Sequence, residues 1–178
     1  MAYQEKTLRS EIVYEGAIFK IRRDHIIAAR GQEAVRDILM HRGASVMLAV
    51  TDEGKILMVR QWRQAAKEFL LELPAGKIDP GEDALTAANR ELREETGYSA
   101  GHVEKFMESI PCAGYSEERL LFYFCTDLTP GETDFDDTED LDLYACDPDE
   151  LIESILNGKI TDGKTVSGIL FARAKGLI

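Results

Sequence analysis

"GKIDPGEDALTAANRELREETGY", residues 76–98, places four glutamates and two arginines in one short run after a glycine-bounded turn. Pro80 and Gly81 close that turn, and Asp83 to Thr96 has helix-forming composition, with Gly97 as the expected C-terminal stop. Ala84, Leu85, Ala88 and Leu92 recur at helical spacing, which predicts a buried face. On the same helix Glu91, Glu94 and Glu95 lie three and four residues apart, so their carboxylates project from neighbouring positions. Like charges at this spacing destabilise a helix unless something positive sits over them. Arg90 and Arg93 are expected to answer only in part, through the glutamates beside them in sequence. A solvated charged face does not account for positions this particular. Hard divalent ions such as Mg²⁺ or Mn²⁺ take oxygen ligands and bridge carboxylates to phosphates. No Cys/His cluster stands nearby, so zinc is a poor match.

At 178 residues the chain is long enough to bury a core as one domain with a small N-terminal extension. Hydrophobic residues make up 44% and charged residues 30%, ordinary for a globular protein. The formal net charge of -12 argues against binding a nucleic-acid backbone, because such a chain gains nothing from counterion release. It does not argue against a small anion bridged by divalent cations. Cys112, Cys125 and Cys146 are odd in number and match neither a zinc pattern nor a disulfide framework, which predicts reduced thiols. No apolar h-region opens the chain and no stretch reaches the roughly 18 apolar residues of a membrane span. A cytoplasmic protein is expected.

Outward from the acidic helix, the first forty residues read as three strands broken at Gly16 and around "ARGQ". "ASVMLAVTDEGKILMVRQWR" predicts a hairpin, with Val46–Val50 and Ile56–Val59 flanking the turn "TDEG". "EFLLELPAG" is a short strand ended by Pro74 and Gly76, and "RLLFYFCTDL" a strong central strand. A short strand "LDLYAC" follows the acidic stretch "TPGETDFDDTED", and Asp147–Asn157 and Thr161–Ala174 read as helices. Strands and helices mix without a βαβ rhythm, which predicts an α+β fold or an α-β-α sandwich around a mixed sheet.

Gly76, five residues, Glu82, seven residues and then "RELREETGY" resemble the complete Nudix box, from Arg90 to the apolar Tyr98. Resemblance to that hydrolase family implies cleavage of a nucleoside diphosphate linked to another group, with Mg²⁺ or Mn²⁺. It implies that Glu91 and Glu95 are the main metal ligands, that Glu94 is a further ligand or organises water, and that the Ala75 carbonyl is another ligand. It also implies that Gly76, Glu82, Arg90, Arg93 and Gly97 are structural. The resemblance implies an α+β Nudix sandwich over residues 43–178. A small β-region over residues 1–42 would serve a two-fold homodimer.

The flanks resemble the ADP-ribose pyrophosphatase branch. "VRQWRQAAKEFLLELPAGKIDPGE", "CAGYSEER" and "NGKITDGKT" carry that likeness. Where the branch has a proline 15 residues beyond the box, this chain has Ala113, with Pro111 two residues earlier. The implied reaction is hydrolysis of ADP-ribose to AMP and ribose 5-phosphate. Another nucleoside diphosphate sugar such as GDP-mannose is the alternative, and a non-catalytic sensor is the reading from a different class. By the same alignment Glu118 binds a ribose hydroxyl, beside Gly114, and Arg63 binds a phosphate or terminal ribose, with a surface or interface salt bridge as its alternative. Trp62 stacks an adenine or packs at an interface. Tyr115 is a candidate contact to the base or ribose, and Arg36 a candidate contact across subunits. Glu139, and Asp137 before it, are the candidates for a final ligand or base.

Overall fold

The computed structural model describes residues 3–133 and 141–178. Its chain divides into two compact units, Met1–Gly43 with Ile110–Arg119 and Ala44–Ser109 with Leu120–Ile178.

In the first unit β1 (Lys6–Glu15), β2 (Lys20–Ile27) and β3 (Glu33–Met40) form an antiparallel sheet in that order. The two breaks read from sequence become its turns. Gly16 N–H donates to the Phe19 carbonyl, and Gly31 takes a positive φ of 84°. Arg23 grips Asp37 across the sheet through two bonds of 2.7 and 2.8 Å. The 110–119 segment is tied to the end of β3, where Leu39 N–H donates to Tyr115 O and Leu39 O accepts from Glu117 N–H. Every residue of β1, an edge strand, is exposed.

The second unit contains two sheets and three helices. One sheet is mixed, in the order β7 (Ala75–Lys77), β4 (Ala44–Ala49), β9 (Leu120–Pro130), β8 (Tyr98–Ser109), with β4 parallel to β9. The other is antiparallel, with β5 (Ile56–Arg63) between β10 (Asp142–Cys146) and β6 (Glu68–Glu72). Side chains alternate across a strand, so β4 and β9 serve two cores. Val46, Leu48 and Phe122 pack with Leu151 of α2 (Pro148–Leu156) and with Ile169 and Ala172 of α3 (Gly163–Lys175). Met47, Ala49, Tyr123 and Cys125 pack instead with Ala88 and Leu92 of α1 (Ala84–Thr96). The result is the expected α+β sandwich around a mixed sheet.

Three local readings change. The "TDEG" turn forms, with Thr51 N–H donating to Lys55 O, but β4 and β5 share only the isolated Val50–Ile56 bridge and continue into different sheets. β4 and the first half of β5, Ile56–Val59, are buried on both faces, so each seeks two covered sides instead of a hairpin with one wet face. The twelve-residue β8 was not expected, because its mostly exposed Lys, Glu and Gly content lacks a strand signature. Its pairing to β9 decides it. On α1, Leu85 sits in the first turn and is exposed, while Ala87 and Thr96 are buried beside Ala88 and Leu92.

Candidate active site

Helix α1 begins where Asp83 accepts from the N–H groups of Leu85 and Thr86, each at 3.0 Å. It stops where Gly97, at φ 74°, donates its N–H to Arg93 O. Between these caps Arg90, Glu91 and Glu95 of the helix meet the β7 segment. Arg90 is the hub. Its Nε and Nη2 donate to the two oxygens of Glu82, both at 3.0 Å, and Nη2 also reaches the Lys77 carbonyl at 3.1 Å. Its Nη1 donates to Glu91 Oε1 at 2.8 Å and Glu94 Oε2 at 2.9 Å. The expectation that Arg90 acts only on its sequence neighbour is therefore corrected, since Glu94 lies one turn on and directly within its reach.

These contacts shift acidity as charge proximity requires. The Arg90 pair holds the Glu82 carboxyl below its ordinary value, and Glu82 together with Glu91 raises the Arg90 guanidinium further above its own. Glu95 is buried, and its Oε2 accepts from the Ala75 N–H at 3.0 Å. At Gly76 an added methyl carbon would lie 1.7 Å from the Glu91 carboxyl carbon, so that carboxylate rests directly on the backbone. Arg93 is exposed in the last turn, where its positive charge complements the negative end of the helix dipole.

As they stand, no three Asp, Glu, His or Cys side chains among the described residues converge on one point. Arg90 draws Glu91 and Glu94 together, while Glu95 is taken up separately by the Ala75 N–H. The donor set is nonetheless all oxygen, close-packed and on one helix, which suits a hard divalent cation and not zinc.

Next to this cluster lies one that the sequence reading did not assemble. Glu72 is fully buried at the end of β6, yet Arg63 grips it through bonds of 2.8 and 2.7 Å. Lys164 reaches the same carboxylate and also Asp162, at 3.0 Å. The pair with Glu72 raises the Arg63 guanidinium above its ordinary value. Arg63 and "ELPAG" were each visible in sequence, but their partners at 162–165 are about ninety residues downstream of Glu72, and no local pattern joins them.

The remaining candidates are placed as follows. Trp62 is exposed, with its ring edge-on to exposed Phe69 at 5.3 Å and its Nε1 donating to Gln64. In the first unit Arg36 pairs with Glu5 at 2.5 Å. Glu118 lies 3.5 Å from Nδ1 of His41, a nitrogen that already accepts from the Gly43 N–H. Tyr115 is exposed and donates to Cys112 Sγ at 3.2 Å, and Gly114 has open space around it. Glu139 and Asp137 lie outside the described residues.

Residues 40–167, well over half of the chain, match the NUDIX domain family. The chain belongs to the NUDIX family. Divalent cations are a general requirement of NUDIX hydrolases. Within it the chain is 34% identical over 171 residues to the methanol dehydrogenase activator of Bacillus methanolicus, covering 95% of this chain and 92% of that one. It is 30% identical over 174 residues to the ADP-ribose pyrophosphatase of Bacillus subtilis, covering 97% and 94%. A crystal structure of an ADP compounds hydrolase shares the NUDIX fold with a TM-score of 0.87, at 21% identity, over 99% of this chain and 97% of that one.

Proposed function

We propose that this chain hydrolyses the pyrophosphate of ADP-ribose to AMP and ribose 5-phosphate with Mg²⁺ or Mn²⁺. The observation that carries the reading is the box geometry, in which Arg90 gathers Glu82, Glu91 and Glu94 while Glu91 rests on Gly76. Glu91, Glu94, Glu95 and the Ala75 carbonyl are the groups that would hold the cations. When bound, these cations supply neutralisation of the phosphate charge and acidify the attacking water.

The chain's own residues do the rest. Arg90 keeps the carboxylates from swinging apart, and Glu82 orients Arg90 in turn. Arg63, permanently charged and steadied by Glu72, offers a fork for a phosphate or ribose. Glu139 or Asp137 is proposed as the base. On the resemblance alone, Glu118, Gly114, Tyr115, Trp62 and Arg36 are proposed substrate contacts. The relative named ADP-ribose pyrophosphatase, alike over nearly its full length, supports this substrate over other nucleotide sugars. Retention of every box carboxylate supports an enzyme over a sensor. A homodimer is proposed, and a cytoplasmic setting agrees with three free cysteines.

The test is a panel of ADP-ribose, GDP-mannose, NADH and diadenosine polyphosphates, assayed with Mg²⁺ or Mn²⁺ and with chelator. ADP-ribose should have the highest kcat/KM, and chelator should abolish turnover. Glu95→Gln should lower kcat at least about 100-fold with the fold retained. Parent-like turnover by that variant would place the cations elsewhere.

A further inference from the structure

Every residue from Glu72 to Lys77 is contacted through its backbone or its side chain. Glu72 accepts from Arg63 and Lys164. Leu73 N–H donates to Thr165 Oγ1 at 2.8 Å in fully buried surroundings. The Pro74 carbonyl accepts from Met47 N–H at 2.8 Å, and Ala75 N–H donates to Glu95. Gly76 lies against Glu91, and the Lys77 carbonyl accepts from Arg90. The second half of the segment is thus held by the box helix α1. Its first half is held largely by the start of α3.

That start does more than cap a helix. Asp162 alone satisfies the cap, its Oδ2 accepting from Thr165 N–H at 3.0 Å. The same oxygen accepts from Thr165 Oγ1 at 2.6 Å and from Lys164 at 3.0 Å. With its proton committed to Asp162, the threonine hydroxyl presents a lone pair to the Leu73 N–H. Lys164 and Arg63 together balance Glu72 and Asp162, giving a chain of two cations and two carboxylates in which Glu72 is buried and the Arg63 guanidinium keeps an open side to solvent. A buried group paired this closely has one low-energy arrangement, and so has the strand it holds.

We propose that Asp162, Lys164 and Thr165 are positioning residues for the reaction. Thr165, oriented by Asp162, fixes the Leu73–Ala75 backbone and hence the Ala75 carbonyl opposite Glu95. Lys164 fixes the Glu72 carboxylate and hence the Arg63 fork. This assignment rests on the hydrolase reading given above, and it adds a second support for the box, reaching it from the far end of the domain sequence.

The experiment compares the parent with Thr165→Val, Thr165→Ser and Lys164→Met. It reads Mn²⁺ affinity by electron paramagnetic resonance without substrate, kcat and KM for ADP-ribose, and Tm in chelator. Thr165→Val should weaken Mn²⁺ binding about tenfold and lower kcat about 10- to 100-fold, as loss of an outer support does elsewhere. Thr165→Ser, which keeps the hydroxyl, should recover both to within about threefold of the parent. Lys164→Met should raise the KM for ADP-ribose more than it changes Mn²⁺ affinity. Parent-like Mn²⁺ affinity and kcat in Thr165→Val, or Thr165→Ser no better than valine, would overturn the proposal. If the valine variant does not fold, the same readings on Thr165→Ser and Lys164→Met decide it: a parent-like KM in the latter overturns it. A parent inert toward ADP-ribose sinks the hydrolase reading, while the Mn²⁺ titration still decides the positioning role. A parent that binds no Mn²⁺ sinks both.

Discussion

A methyl group at Gly76 would meet the Glu91 carboxylate at 1.7–2.1 Å, and no other atom of the chain closer. The obstruction is the far end of a long side chain, so Gly76→Ala is accommodated by displacing the carboxylate, at little expense to the fold. Displacement by about 1 Å from a reactive geometry commonly lowers a rate about 100-fold. Gly76→Ala should therefore show a kcat about 100-fold down and weaker Mn²⁺ binding, with a Tm within a few degrees of the parent. A large fall in Tm with normal Mn²⁺ binding would mean that the glycine serves the strand. Arg90 carries the complementary lesson at this scale, since one guanidinium reaches Glu91 and Glu94, which helix spacing alone would have set against each other, and Glu82 of the preceding loop as well.

At the scale of elements, β1 and β2 are joined by a polar contact that responds to pH. Asp24 is buried, accepting from Ser10 Oγ on β1 at 2.7 Å and from Arg22 Nε on its own strand at 2.9 Å. Arg22, and then Ser10, hold its carboxyl below the ordinary 3.8 despite the opposing effect of burial. A depressed carboxyl contributes stability above its unfolded value, and that contribution is lost as pH falls through the folded value. Asp24→Asn should therefore lower stability at pH 7, by roughly 2 kcal/mol for a lost charged hydrogen bond. The difference from the parent should be full above the ordinary carboxyl range and shrink as pH falls below about 4 and through the depressed folded value, as followed by thermal melts at descending pH. A difference that stays constant with pH would assign the effect to packing.

For the whole molecule, β1 raises the question of what covers it. It is an edge strand, paired with β2 on one side and with no strand on the other among the described residues, and exposed along ten residues that include Leu8, Ile12, Val13 and Tyr14. Edges of this kind template association unless they are covered or charged. The proposed homodimer gives them a partner. Sedimentation velocity should then report twice the chain mass, and Ile12→Lys with Tyr14→Lys should shift it to a single chain while leaving the far-UV circular dichroism unchanged. A parent that sediments as one chain would remove the dimer from the proposal.

Residues 76–98 by themselves determined the acidic helix, its caps and the family, because helix spacing and a fixed glycine–glutamate–arginine pattern are local properties of the chain. The three N-terminal strands were legible for the same reason: glycine breaks separate runs of branched residues. Only the tertiary structure decided that β4 and β5 part into two sheets, since an apolar run covered on both faces carries no record of its neighbours. Only pairing with β9 made a strand of β8. The same holds for the chain of ion pairs through Arg63, Glu72, Lys164 and Asp162. Its two halves stand about ninety residues apart in sequence, and folding alone brings Lys164 to the buried Glu72 carboxylate, which requires a cation there.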